Sequence, residues 1–242
     1  MSKQIVLLPG WGLGIEPLQI LAQELRAALP DFNVQVQPLP NMQGQDAAQV
    51  LQQLDQQLPS DCWLVGWSLG GMLASALAAQ RQSGCAGVIS YASNACFVAR
   101  AGWSVAMPVA TFTDFRALCA NDPSVCLKRF ALLCSQGAVE ARQLSRQLQA
   151  AVQVDELASA LAGLDVLAEL DNRQAIRSYT GRQLHLFAEN DALVPSAAAK
   201  AVSELNAQAQ VEMLGYSHAS SVAEPQLLAQ RIASFIQGAE HA

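Results

Sequence analysis

Residues 66–71 read Gly66-Trp67-Ser68-Leu69-Gly70-Gly71, with the apolar run Cys62-Trp63-Leu64-Val65 before them and a helix-forming stretch from Met72 to Ala79 after them. A serine flanked in this way sits on a strand-to-helix turn so tight that side chains at Gly66 and Gly70 would collide with their neighbours. The turn pushes the hydroxyl into the open at a helix N-terminus, where free N–H groups and the helix dipole favour developing negative charge. An ordinary Gly-rich turn is the competing reading, and the strand before and helix after weigh against it. The hexapeptide therefore demands an α/β fold at this point and marks Ser68 as a candidate nucleophile.

The pattern around it agrees. Residues 5–8 form a short apolar run closed by Pro9-Gly10, as in a parallel strand covered on both faces. Helical spacing follows from Leu18 to Leu29, and Val34 and Val36 alternate with glutamines up to Pro38. A second helix is expected over 47–58, a strand over 62–67 and another over 86–91. Alternation of this kind means βαβ units and a mostly parallel, doubly wound sheet.

From about residue 100 to 182 no convincing strand is present, while 112–120, 124–135, 139–150 and 156–169 carry helical periodicity. Strands at 183–187 and 211–214, with helices at 197–205 and 223–236, then resume the earlier pattern. The expected organisation is a core in two parts, 1–99 and 183–242, with an all-helical cap over 100–182.

The chain has 242 residues, 52% hydrophobic and 14% charged, enough for a sizeable buried core. A net charge of −6 without a Lys/Arg run excludes a nucleic-acid partner. The opening apolar stretch is too short for a signal segment or a membrane span, which predicts a cytoplasmic protein without a membrane partner. Six cysteines (Cys62, Cys85, Cys96, Cys119, Cys126 and Cys134) lack any C-x-x-C pair, so they read as reduced, buried, small hydrophobes rather than metal ligands.

Ser68 needs a base held by a carboxylate. Of three histidines, His185 alternates with Leu184 and Leu186 inside an expected strand and reads as a packed imidazole, and His241 is penultimate. His218 lies in Gly215-Tyr216-Ser217-His218-Ala219, between the last strand and last helix, where doubly wound sheets place functional groups. For the acid, Asp191 follows the 183–187 strand and gives the order Ser, Asp, His, with Glu189 its rival two residues earlier. Two backbone donors would hold an oxyanion: the N–H of Leu69 and one from the loop Pro9-Gly10-Trp11-Gly12, for which Trp11 is the natural choice unless that loop is a simple turn. No metal and no organic cofactor is needed for such chemistry.

With these residues in place the chain resembles the α/β-hydrolase superfamily, and more narrowly the esterases that act on pimeloyl-acyl-carrier-protein methyl ester in biotin synthesis. The narrower resemblance rests on Gly10-Trp11-Gly12-Leu13, the tryptophan before Ser68, Ala92-Ser93-Asn94-Ala95-Cys96-Phe97 with Arg100 and Trp103, Lys128-Arg129-Phe130-Ala131-Leu132, and Ala141-Arg142-Gln143 with Arg146. Pro9 departs from it, standing where the family's loop usually has histidine. The resemblance implies the α/β-hydrolase fold, a Ser68–His218–Asp191 triad, release of methanol and free pimeloyl-carrier protein, and carrier binding through Arg129, Arg142 and Arg146. A broad esterase or lyase acting on small esters, and a non-catalytic ligand-binding relative, are the alternatives.

Charge bears on the carrier. Between residues 100 and 150 six basic residues face three acidic ones, a local +3 against −9 elsewhere. Screening over a Debye length of about 8 Å lets an acidic partner feel that patch more than the total. Arg142 and Arg146, four apart, share a helix face suited to carboxylates and phosphate, or simply to solvent. Phe130 faces another way, toward an acyl channel or the cap core.

Overall fold

The computed structural model describes residues 3–152 and 154–240, with side chains described except at 154–158, 239 and 240. Six strands make one all-parallel sheet: β1 (Lys3–Leu8), β2 (Phe32–Val36), β3 (Cys62–Trp67), β4 (Gly87–Tyr91), β5 (Gln183–Phe187) and β6 (Gln210–Met213), in the order β2-β1-β3-β4-β5-β6. β1, β3, β4 and β5 carry near-continuous apolar runs because helices cover both of their faces.

Right-handed crossovers dictate which face each helix takes. The step from β1 leftward to β2 puts α1 (Gln19–Ala28) on one face, where it packs on α11 (Pro225–Glu240). The rightward steps put α2 (Ala47–Gln57), α3 (Leu69–Arg81), α8 (Arg173–Ser178) and α9 (Ala197–Leu205) on the other, α3 packing on α2 and α8, and α8 on α9. At the start of α2 a capping box forms, the Asp46 carboxylate accepting from Gln49 N–H and the Gln49 side chain from Asp46 N–H. The short α10 (Ser220–Ala223) precedes α11.

Between β4 and β5 stand α4 (Val109–Asn121), α5 (Pro123–Ser135), α6 (Ala141–Ala150) and α7 (Val154–Glu169). Asp122 ends α4 and caps α5, its carboxylate accepting from Val125 N–H at 3.0 Å with Pro123 in the first turn. Among the described residues between β4 and β5 the only β pairing is in isolated bridges, Val98 with Met107 and Arg100 with Trp103. These four helices close over the loops at the carboxyl ends of the strands. Trp11, just after β1, sets its ring edge-on to Phe115 of α4 (5.8 Å) and Phe130 of α5 (4.8 Å), and its indole N–H donates to the Ala160 carbonyl of α7 at 2.7 Å. α8, also within 100–182, lies on α3 instead: the Asn172 amide donates to the Met72 carbonyl at 2.7 Å and the Tyr179 hydroxyl to the Cys85 carbonyl at 3.1 Å.

All six cysteines are free and buried. No described helix is long and apolar enough to cross a membrane, and the described residues contain no His/Cys/Asp/Glu group able to hold a metal ion.

Candidate active site

Ser68 joins β3 to α3 with φ +54° and ψ −118°, a conformation that costs a non-glycine residue roughly 1–3 kcal/mol. The flanking glycines make it possible. A Cβ on Gly66 would come within 2.3 Å of the Gly70 carbonyl, and one on Gly70 within 2.4 Å of the Leu8 carbonyl oxygen at the end of β1. The turn is fastened from β4: Ser68 N–H donates to the Tyr91 carbonyl at 2.9 Å, and the Ser93 hydroxyl donates to the Ser68 carbonyl.

The residues expected as base and acid, His218 and Asp191, lie side by side. His218 Nδ1 and Asp191 Oδ2 are 2.8 Å apart, with side chains 0% and 1% exposed. Asp191 Oδ1 accepts from the Leu193 and Val194 amides at 2.8 and 3.0 Å, so the carboxylate is held by three bonds and points in a single direction. Glu189 is exposed, and its amide is spent on the Gly215 carbonyl. With Nδ1 on the carboxylate, His218 Nε2 is left buried and without a hydrogen-bond partner. No hydrogen bond joins it to Ser68 in this structure; such contacts are commonly loose until substrate enters.

Two side chains of the sheet anchor the His218 loop to the elbow. The Trp67 indole N–H, from the residue before Ser68, donates to the His218 carbonyl at 2.8 Å, and the Tyr91 hydroxyl donates to the Ser217 carbonyl at 2.6 Å. The Trp67 and Phe130 rings stand 6.1 and 6.2 Å from the imidazole, excluding water from it. Burial pushes the Tyr91 hydroxyl pKa well up, so Tyr91 stays a proton donor at any working pH.

A Cβ on Gly10 would lie 3.4 Å from Ser68 Cβ, so the loop after β1 runs directly beside the serine. Neither the Trp11 nor the Leu69 amide has a partner among the described residues. A cavity of about 340 Å³ opens there, bounded by Gly10, Trp11 and Leu69, by Leu39 and Met42 of the following loop, and by Ala160 and Gly163 of α7. Gly163 is required at this contact, because a Cβ there would meet Trp11 Cδ1 at 2.6 Å. Phe130 is off the cavity wall: it is buried between the Trp11 and His218 rings.

His185 lies away from this site, buried in β5, and His241 falls outside the described residues. Of the six basic residues between 100 and 150, Arg100 pairs with Asp171 at 3.7 Å and Arg116 with Asp165 at 2.5 Å, acids lying beyond that window. Lys128 and Arg129 of α5 and Arg142 and Arg146 of α6 are exposed, with no ion pair among the described residues. Exposed Leu132 on α5 and Val139 in the corner between α5 and α6 lie among them in sequence.

In the sequence Trp67 is only a mark of resemblance and Tyr91 carries no signal of a role; their bonds join residues 151 and 126 positions apart, which no local pattern encodes.

The Alpha/beta hydrolase family model matches residues 5–231. Over 240 residues the chain is 38% identical to the "Biotin biosynthesis bifunctional protein BioHC" of Cellvibrio japonicus, covering 96% of this chain but 47% of that protein, so it spans about half the length of that relative. It is 31% identical over 246 residues to the "Pimeloyl-[acyl-carrier protein] methyl ester esterase" of Aeromonas salmonicida, covering 97% of this chain and 96% of that one. A solved hydrolase from Oleispira antarctica superposes with a TM-score of 0.85 at 14% identity, covering 98% of this chain and 92% of the other, which speaks for the fold alone. The sheet order, the serine turn and the family match agree: the chain belongs to the Alpha/beta hydrolase family.

Proposed function

We propose that this chain is a serine carboxylesterase whose substrate is pimeloyl-acyl-carrier-protein methyl ester. The observation that carries the reading is the buried His218–Asp191 pair, tied through Trp67 to the elbow that presents Ser68. In this mechanism Ser68 Oγ attacks the ester carbonyl while His218 Nε2 takes its proton. Asp191 fixes the tautomer of His218 and stabilises the imidazolium. The free amides of Leu69 and Trp11 donate to the oxyanion, and the fixed dipoles of a water-poor site act there without reorganising.

The protonated imidazole gives its proton to the departing methoxide. Methanol leaves, and an acyl bond to Ser68 remains. Water, deprotonated by the same imidazole, then attacks the acyl carbonyl; as the bond to Ser68 Oγ breaks, the imidazolium returns the proton to that oxygen, releasing free pimeloyl-carrier protein and restoring the serine and the neutral histidine.

Within residues 100–182, α4 to α7 act as the cap that covers the acyl chain, and the cavity against Trp11 receives it. The carrier docks on Arg129, Arg142 and Arg146. Their exposure without paired acids, together with the naming of relatives that match nearly end to end, supports this partner over small free esters.

The test is methanol release from the carrier-bound methyl ester by the purified protein. The account expects turnover by the wild type and a loss on the order of 10⁶ in kcat for Ser68→Ala. Activity kept by that variant overturns the triad; a small ester cleaved far better than the carrier-bound one overturns the substrate.

A further inference from the structure

We propose that the corner between α5 and α6 is a positioning element for the His218–Asp191 pair, with Gly137 its critical residue. This rests on the catalytic reading above. Gly137 has φ +90° just after α5, and helices commonly end on a glycine in the left-handed region. Backbone conformation alone would then explain it, and neighbouring loops would be irrelevant.

The contacts say more. A Cβ on Gly137 would lie 2.6 Å from Asn190 Cβ and 2.8 Å from the carbonyl oxygens of both Asn190 and Tyr216. Two of these three atoms are backbone, so they cannot swing aside as the end of a long side chain does. Asn190 precedes the acid, and Tyr216 lies two residues before the base. The same two loops are laced together beside Gly137, Asn190 N–H donating to the Tyr216 carbonyl at 3.0 Å and Glu189 N–H to the Gly215 carbonyl at 3.1 Å.

A second grip comes from the last turn of α5, whose Cys134 carbonyl accepts from Ala219 N–H at 3.1 Å. The α5 corner thus touches the base loop at Tyr216 and Ala219, bracketing His218 from both sides, and touches the acid loop at Asn190. Nothing in that corner reaches the reacting atoms, so its role is to hold the imidazole and carboxylate in register. Displacing reacting groups by about 1 Å can cost on the order of 100-fold in rate, which is the lever a misplaced corner would pull.

The test compares Gly137→Ala with Gly102→Ala on a p-nitrophenyl ester. Gly102 also has positive φ, +73°, but a Cβ there meets only the tip of the Arg173 guanidinium, 3.1 Å away. Both variants carry the backbone strain, and only one crowds the catalytic loops. Gly137→Ala should lose at least about tenfold in kcat with KM within about twofold, and Ser68 should react with a fluorophosphonate correspondingly more slowly. Gly102→Ala should keep near wild-type kcat at a similar melting temperature.

Gly137→Asn, which tolerates positive φ better, keeps the crowding by a Cβ with less backbone strain should strain unfold the alanine variant. Wild-type kcat in a folded Gly137 variant, or a loss no larger than that of Gly102→Ala, overturns the proposal. Ser68→Ala separates the two levels: if it stays active the triad itself fails, whereas a dead Ser68→Ala beside a fully active Gly137→Ala removes only the positioning role.

Discussion

Replacing His185 with leucine should remove a contribution to stability that is lost as the pH falls from 8 to 5. His185 sits in β5 at 2% exposure. The Gln183 amide nitrogen is committed to the Ile176 and Tyr179 carbonyls, both at 3.0 Å, so its oxygen faces His185 Nε2 at 3.2 Å and accepts from the ring N–H there. Nδ1 is then an acceptor for the Ser90 hydroxyl at 2.7 Å. Both ring nitrogens are satisfied in the neutral form, and burial lowers the pKa from 6.5 to about 4.

Between those two values the unfolded chain binds the proton that the folded protein refuses. The stabilisation by neutral His185 is therefore complete above the unfolded pKa and lost as pH falls below it. The separation corresponds to about 2 kcal/mol lost by pH 5 and roughly 3 kcal/mol by pH 4. Glu212, lowered by its bond to Arg231, and Asp171, lowered by Arg173, contribute stability that is lost only in the carboxylate range; every group other than His185 is common to wild type and variant, so the difference between the two at pH 5 and above reads His185.

Urea unfolding of wild type and His185→Leu at pH 8, 6.5 and 5 measures the effect. The variant starts weaker, because Ser90 and Gln183 lose partners, and the gap in unfolding free energy should shrink by about 2 kcal/mol from pH 8 to pH 5. A gap that stays constant with pH would refute the reasoning.

Two further outcomes follow from the site. Trp67→Phe keeps the ring but removes the donor to the His218 carbonyl, so kcat on a small ester should fall roughly tenfold, for a loss of about 1–2 kcal/mol, with KM little changed; an unaltered kcat would show that the indole bond does not place the base. Arg142→Glu/Arg146→Glu should impair cleavage of the carrier-bound ester, with the loss shrinking at high salt, while sparing a p-nitrophenyl ester; equal loss on both removes the docking role.

Much of this was legible in the sequence because it is local. β3 and β5 fall where their apolar runs predict, the glycines of the serine turn report its strain, and chain order points to Asp191 and His218. Short elements escaped: α8 and α10, of six and four residues, are too brief to show a helical period. So did whatever depends on chain crossings. The pairing of Arg100 with Asp171 and Arg116 with Asp165 narrows the basic patch to four residues, and it needs partners from another helix or loop. Helical phase leaves Phe130 facing a channel or the core, and its packing between the Trp11 and His218 rings is set by chain crossings that no local pattern encodes. Gly137 reads locally as a helix terminator, and its contact with the loops that carry Asp191 and His218 exists only in three dimensions.

The central claim is that Ser68, His218 and Asp191 share one proton path. Fluorophosphonate labelling followed by tandem mass spectrometry of the peptides tests it directly: the account predicts a single adduct on Ser68 in the wild type and labelling slowed by orders of magnitude in His218→Ala. An adduct on another residue, or a His218→Ala protein that labels as fast as the wild type, would contradict it.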